Sequence, residues 1–460
     1  MSLIKSISGF RGTIGGKPGD NLTPIDAVKF AAAYGTWLKN QSNQSEYKVI
    51  VGRDARISGQ MVSQLVCSTL QGLGINVIDL GLSTTPTVEV MVTHLHADGG
   101  IILTASHNPK EWNALKLLNA KGEFVSAADG AQILAFADKD DYTFAEVDDL
   151  GSYETFDDAI DLHIEKILAL PLVNAKAIQE KNFKVAIDAV NSTGGIAIPK
   201  LLQRLGVIHY DMYCEPNGNF PHNPEPLKEH LGDICKKVID EQADFGIVVD
   251  PDVDRLAIID EKGEMFGEEY TLVAVADYVL SKTPSATVSN LSSSRALRDI
   301  SEKYGQKYSP SAVGEVNVVV EMKNVDAKIG GEGNGGIIYP ELHYGRDSLV
   351  GIALFLTYLA EQDKSVSEIR ASFPAYFMAK KKIELTPEIN VDELLVKIQE
   401  VYKNEEINTV DGVKIDFPTE WVHLRKSNTE PIIRIYTEST SEENANKLAD
   451  KMIESIKNII

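Results

Sequence analysis

The sequence predicts an α/β protein of three related α/β domains with mixed sheets, closed by a smaller C-terminal α+β domain. Three observations carry that prediction. A layout of apolar strand, polar loop, amphipathic helix, glycine and second strand occurs three times, at 47–81, 183–213 and 285–310. Such βαβ layouts imply parallel strands covered by helices, and self-similarity on this scale reads as repeated domains rather than a solenoid. From about Phe377 the layout changes to strands that follow one another directly, which favours an antiparallel α+β module.

The elements follow in order. YKVIV leads into the polar RDARISG, then a helix over Gln60–Leu73, Gly74 and the strand INVIDLG. FKVAID leads through AVNSTGG into a helix ending at Leu205, then Gly206 and VIHYDMY. SATVSN leads through LSSS into a helix over Arg295–Tyr304, Gly305 and QKYSP. The last module reads as the strand FMAKKKIEL, a helix over Val391–Tyr402, the strands VKIDF, TEWVHL and PIIRIYTES, and a closing helix. Thr440 and Glu443 form a capping box that opens that helix. Boundaries are expected near 150, 260 and 375, giving domains 1–150, 151–260, 261–375 and 376–460.

Composition narrows the function. A chain of 460 residues has room for two to four domains, and its 43% hydrophobic and 24% charged residues are ordinary for a soluble globular protein. A net charge of −22 excludes a nucleic-acid surface and requires that cations for any anionic substrate be concentrated locally. Cys67, Cys214 and Cys235 show no C-x-x-C spacing and read as reduced cytosolic thiols. The N-terminus has no apolar signal core, and the apolar run Leu349–Ala360 falls short of the ~20 residues needed to span a bilayer. A cytoplasmic protein with no membrane or nucleic-acid partner is expected.

Four loops have residues suited to chemistry. In TASHNP (104–109), Ser106 and His107 follow a buried strand, and Pro109 keeps Asn108 out of the helical region. Lys116, shortly after, is a cation suited to phosphate or proton transfer. No carboxylate completes a triad locally, and a capped turn is the plain alternative. In VVDPDVDRLAII, Asp250, Asp252 and Asp254 alternate between apolar strands; alternate residues share a face in an extended chain, so a slight curl would bring three carboxylates onto one hard cation. An EF-hand is excluded, because Arg255 stands where glycine is needed and the flanks read as strands. GGEGNGG (330–336) contains a formal G-x-G-x-x-G but opens no helix, so a dinucleotide site is rejected in favour of a close-approach turn where Glu332 accepts from hydroxyls. In RKSNTEP, Arg425 with Ser427, Asn428 and Thr429 forms a set of phosphate donors, or an ordinary polar turn. His94 and His96 read as a helix end rather than metal ligands.

Taken together, the four loops resemble the α-D-phosphohexomutase family, in the family's order and across almost the whole chain. TASHNP is similar to its phosphoserine loop, DPDVDR to its metal loop, GEGNG to its sugar loop and RKSNTEP to its phosphate loop. SGFRGTIG, with Arg11, resembles the family's opening segment, whose arginine reaches the active site.

The resemblance implies four domains around a central cleft and a reversible phosphoryl carrier at Ser106. Mg²⁺ would sit on Asp250, Asp252, Asp254 and the phosphorylated Ser106. His107, Lys116, Arg255 and Arg11 would lie at the transferred group. Glu332 and Asn334 would hold the sugar, and Arg425, Ser427, Asn428 and Thr429 its distal phosphate. A hexose 1,6-bisphosphate would serve as intermediate and activator, and the enzyme would be a monomer or homodimer. Two positions depart from the family pattern: Ala114, and Gly336 where many bacterial relatives carry a histidine. The second shifts proton transfer onto His107, Lys116 or His343. The GEGNGG form resembles the archaeal-type branch, and glucosamine phosphate is favoured over glucose or mannose phosphate. An aspartate-dependent phosphatase would leave TASHNP and RKSNTEP idle, and a non-catalytic sugar-phosphate sensor would not need Ser106 with all three aspartates.

Overall fold

The computed structural model describes residues 2–6, 9–385, 389–426 and 432–459. The chain forms two compact units, Met1–Thr271 with Asn334–Glu368, and Leu272–Gly333 with Ile369–Ile460.

The first unit holds a seven-stranded mixed sheet, in the order Ile4–Ser6, Gly9–Thr13, Trp112–Leu118, Gly99–Leu103, Tyr47–Arg53, Ile75–Leu82, Tyr153–Thr155. Tyr47–Arg53 pairs in parallel with both Ile75–Leu82 and Gly99–Leu103, while Trp112–Leu118 runs antiparallel between Gly99–Leu103 and Gly9–Thr13. Both faces are covered, and the pleat sorts side chains between them. Val49, Val51, Ile101 and Leu103 pack into one core with Phe10, Phe30 and Trp37; Ile50 and Ile102 pack into another with Val88, Met91 and Val92. The helix Pro24–Asn40 starts as its sequence dictates, with Thr23 and Asp26 in a capping box and proline in the first turn.

A second sheet in this unit runs Leu256–Ile259, Phe245–Val249, Lys184–Asp188, Ile208–Met212. Lys184–Asp188 is parallel to both neighbours, and Leu256–Ile259 returns antiparallel on Phe245–Val249. The acidic stretch 250–255 is therefore the connection of a hairpin. Beneath it runs the helix Ser348–Glu361, buried from Ser348 to Ala360, with Phe355 against Phe245 and Phe266 at 5.7 Å ring to ring. That apolar run is a core helix, and no helix among the described residues is long and apolar enough to cross a membrane.

In the second unit, Thr287–Asn290 pairs in parallel with Tyr308–Ser311 and Ile329–Glu332. The C-terminal module is an antiparallel sheet of five strands, in the order Phe377–Glu384, Ile432–Ser439, Trp421–Lys426, Val413–Asp416, Glu406–Asn408. Leu394, Leu395 and Ile398 of one helix and Leu448, Met452 and Ile456 of another cover its Val413, Ile415, Val422 and Ile435. The cap of the last helix differs from expectation: Ser441, not Thr440, accepts the N–H of Asn444, because the strand persists to Ser439 and the helix begins at Glu442. Arg295 ties the two halves of this unit, donating to Asp416 and to the carbonyls of Phe417, Pro418 and Glu420.

Candidate active site

Gly99–Leu103 delivers the chain to the loop 104–109, where the sheet ladder ends and the backbone must find other partners. Thr104 Oγ1 accepts the N–H of Ser106 at 2.9 Å, and Ser106 takes a left-handed φ of 48°. The carbonyls face Arg56. Its Nη2 donates to Ser106 O (2.5 Å) and Asn108 O (2.6 Å), and its Nη1 to Pro109 O (2.7 Å) and Trp112 O (2.9 Å). Asp54, fully buried, takes Arg56 Nε at 3.0 Å and Thr104 Oγ1 at 2.6 Å. One guanidinium thus shapes the whole loop. Ser106, 4% exposed, donates to Asp250 Oδ2 at 2.6 Å, and its hydroxyl lies 3.4 Å from His107 Nδ1.

The three aspartates converge as expected, by a different route. They sit in a tight turn with Val253 at φ 65°, not along an extended strand, and one oxygen from each lies within 4.8 Å of the others. Asp250 Oδ1 accepts the N–H groups of Asp254 and Arg255, both at 3.2 Å, which closes the turn. Lys116 Nζ reaches Asp252 at 2.7 Å and Asp254 at 3.4 Å; Thr85 Oγ1 donates to Asp252 at 2.5 Å, and Arg346 Nη2 to Asp254 at 2.7 Å. Burial, then the charges of Asp252 and Asp254, push the Asp250 carboxyl well above the usual range. For Asp252 burial acts in the same sense but is outweighed, chiefly by Lys116, and its carboxyl falls below that range. Among the described residues Asp252 Oδ1 and Asp254 Oδ1 are buried without a hydrogen-bond partner. Orphaned carboxylate oxygens of this kind, in a hard-oxygen cluster, fit a divalent cation.

The remaining candidates divide between the units. In the first, Arg11 Nη1 donates to Asn108 Oδ1 at 2.8 Å, and Arg255 Nη1 lies 3.5 Å from Glu225. Burial, with Arg255 and Arg11 nearby, pushes the His107 imidazole down to about 2. Asn334 Oδ1 accepts the N–H of Gly336 at 3.3 Å within the glycine turn. In the second unit, Glu332 Oε1 accepts from Asn290 Nδ2 (2.9 Å) and Gly314 N (3.1 Å), and Arg425 Nε lies 2.9 Å from Asp411. Ser427, Asn428 and Thr429 fall outside the described residues. His343 is committed elsewhere: its ring nitrogens lie 3.2 Å from Glu89 and 3.3 Å from Asp347, in a buried cluster with His163.

Sequence reasoning passed over Arg56, Thr85 and Arg346. Arg56 lies in the polar RDAR after a strand, and Thr85 opens the helix Thr85–His94 within the polar STTP, which is the only signal they give. Arg346 has none beyond following the glycine turn.

Most of the chain matches the phosphoglucomutase/phosphomannomutase models: α/β/α domain I over residues 3–144, domain II over 161–263, domain III over 267–376 and the C-terminal domain over 382–455. A phosphoglucomutase/phosphomannomutase of Thermococcus kodakarensis is 36% identical over 440 residues, covering 94% of this chain and 95% of that protein. A phosphoglucosamine/phosphogalactosamine mutase of Sulfurisphaera tokodaii is 32% identical and covers 98% of each. Among solved structures, a putative phosphomannomutase from Thermus thermophilus superposes with a TM-score of 0.83 at 26% identity, covering 99% of this chain and 100% of that one. The chain belongs to the phosphoglucomutase/phosphomannomutase family of α-D-phosphohexomutases, and is an isomerase with the family's four-domain α/β architecture.

Proposed function

We propose that the enzyme interconverts the 1- and 6-phosphates of glucosamine through phosphorylated Ser106 and a hexose 1,6-bisphosphate, in the cytoplasm. The observation that carries this reading is the Ser106 hydroxyl on Asp250, inside a carboxylate triad that Lys116 also grips. An acyl-transfer serine needs a base oriented by a carboxylate; this one has instead a cluster fit for a cation. Asp250, Asp252 and Asp254 would hold Mg²⁺, which when bound neutralises charge on the transferring phosphoryl oxygens.

The chain's own residues do the rest. The phosphoryl group leaves Ser106 Oγ, which keeps the electrons of the broken P–O bond, and joins the free sugar hydroxyl, whose proton departs to a neighbouring group. His107 is the group proposed to take and return that proton. Lys116, Arg255 and Arg11 supply fixed positive charge at a pre-arranged site, where alignment and electrostatics carry phosphoryl transfer. Glu332 and Asn334 are proposed to bind sugar hydroxyls, and Arg425, Ser427, Asn428 and Thr429 the distal phosphate. The bisphosphate then turns end for end and returns its other phosphoryl group to Ser106.

Intact-mass measurement tests the core of this reading. One phosphoryl group is expected on the wild-type chain after incubation with bisphosphate, and none on Ser106→Ala; full mutase activity in that variant would refute it. The sugar is supported by relatives named phosphoglucosamine mutase at 28–32% identity. Glucose or mannose phosphate is the second reading, favoured by the 36% identical Thermococcus kodakarensis protein. Comparing kcat/KM on the three 1-phosphates decides between them.

A further inference from the structure

Gly336 opens the strand Gly336–Ile338 with no positive φ, so backbone conformation does not explain its missing side chain. Space does. A β-carbon there would lie 2.3 Å from Arg346 Cδ, 3.0 Å from its Cγ and 3.2 Å from Asn334 Oδ1. Arg346 is bridged antiparallel to Ile338, and its stem crosses the bare face of Gly336 to put Nη2 on Asp254 Oδ2 at 2.7 Å.

Both ends of this arm are held. At the root, Asp347 Oδ1 caps the helix Ser348–Glu361 through the N–H groups of Leu349 and Val350, and its Oδ2 faces His163 and His343. Ser348 N donates to Val253 O at 3.2 Å, and Leu256 N to Gly335 O at 3.1 Å, so the arm's strand and the glycine turn are both laced to the acidic loop. At the tip, Arg346 and Lys116 share Asp254 Oδ2, while Oδ1 accepts no hydrogen bond among the described residues and faces Arg255 Nε at 3.9 Å.

We propose that Arg346 is a positioning residue of the phosphoryl-transfer site: it orients Asp254 so that Oδ1 is presented to the cation, and Gly336 must stay bare to let it pass. The inference rests on the reading of Asp250, Asp252 and Asp254 as the Mg²⁺ site. Charge alone and orientation predict opposite signs. Removing a cation beside a cation site tightens Mg²⁺ by Coulomb's law, whereas losing the partner that orients a ligand weakens it.

The test is calorimetric titration of Mg²⁺ into the unphosphorylated chain, as wild type, Arg346→Met, Arg346→Lys, Gly336→Ala and the double variant Gly336→Ala/Arg346→Met. Arg346→Met is expected to weaken Mg²⁺ by about tenfold or more despite losing a positive charge, with Arg346→Lys between it and wild type. Gly336→Ala should weaken binding comparably alone but by less than about twofold in the Arg346→Met background, the non-additivity of a shared contact. In turnover, Arg346→Met and Gly336→Ala should lower kcat by about tenfold while the KM for hexose 1-phosphate stays within about threefold. Unchanged or tighter Mg²⁺ in Arg346→Met, or an equal Gly336→Ala effect in both backgrounds, overturns the proposal. If Arg346→Met does not fold, Arg346→Lys against Gly336→Ala carries the same comparison. No Mg²⁺ binding by the wild-type chain would overturn the metal reading itself.

Discussion

Arg56→Met removes the guanidinium that shapes the Ser106 loop and keeps an apolar stem of similar length. Arg56 is 1% exposed, so water does not stand ready to replace it. Four carbonyls, from Ser106, Asn108, Pro109 and Trp112, lose a charged donor, and Asp54 loses its countercharge. Removing one partner of a buried ion pair costs about 3–5 kcal/mol, and charge-assisted hydrogen bonds about 1.5–3 kcal/mol each. These terms do not add, because Asp54 can escape by protonating: burial already raises its pKa, and Arg56 is the main force holding it down. A net local loss of about 3–5 kcal/mol is expected, with part of it recovered in Arg56→Met/Asp54→Asn, which leaves no orphaned charge. Because the chain holds two compact units, a global unfolding energy is a poor measure, and hydrogen exchange over residues 104–112 is the assay of choice. Phosphorylation of Ser106 by bisphosphate should slow about 100-fold if its hydroxyl moves by ~1 Å. Exchange altered by less than ~1 kcal/mol, with phosphorylation at the wild-type rate, would refute the assignment of loop geometry to this residue.

Three further outcomes follow from individual contacts. Burial opposes protonation of His343, but Asp347 and Glu89 outweigh it and raise its pKa from 6.5 to about 10. Its contribution is therefore complete below pH 6.5 and lost as pH rises through about 10, so the melting temperature should fall across that window and His343→Gln should flatten the fall. Gly345→Ala places a β-carbon 1.7 Å from Glu89 Oε2 and should destabilise by about 1–3 kcal/mol, an effect that Glu89→Ala relieves and Glu89→Gln does not. Glu332→Gln keeps the side chain's shape but loses the carboxylate that Asn290 and Gly314 orient, and should lower kcat/KM by about 10–100-fold and slow Ser106 phosphorylation by bisphosphate, while intact mass still reaches one phosphoryl group per chain.

The parallel pairs Tyr47–Arg53 with Ile75–Leu82, Lys184–Asp188 with Ile208–Met212 and Thr287–Asn290 with Tyr308–Ser311 were all legible in the repeated layout. Strand, glycine and helix leave periodicities within some thirty residues, and such patterns survive in one dimension. The acidic loop was legible for the same reason: its carboxylates are neighbours in the chain, although a tight turn and not an extended face brings them together. Arg56 was not legible, since the carbonyls it binds belong to no residue type and so leave no mark on composition or spacing.

The sequence by itself determined the βαβ repeats, the antiparallel last module and which loops hold ionisable residues. Tertiary structure decided which of those residues meet. It put the Ser106 hydroxyl on Asp250, 144 residues away, and Lys116 on Asp252, 136 residues away. It also spent His343 in a buried cluster and brought Arg346 across Gly336 to Asp254. Local periodicity reports on burial and backbone geometry, whereas a buried charge is placed by whichever opposite charge the packed sheets set against it.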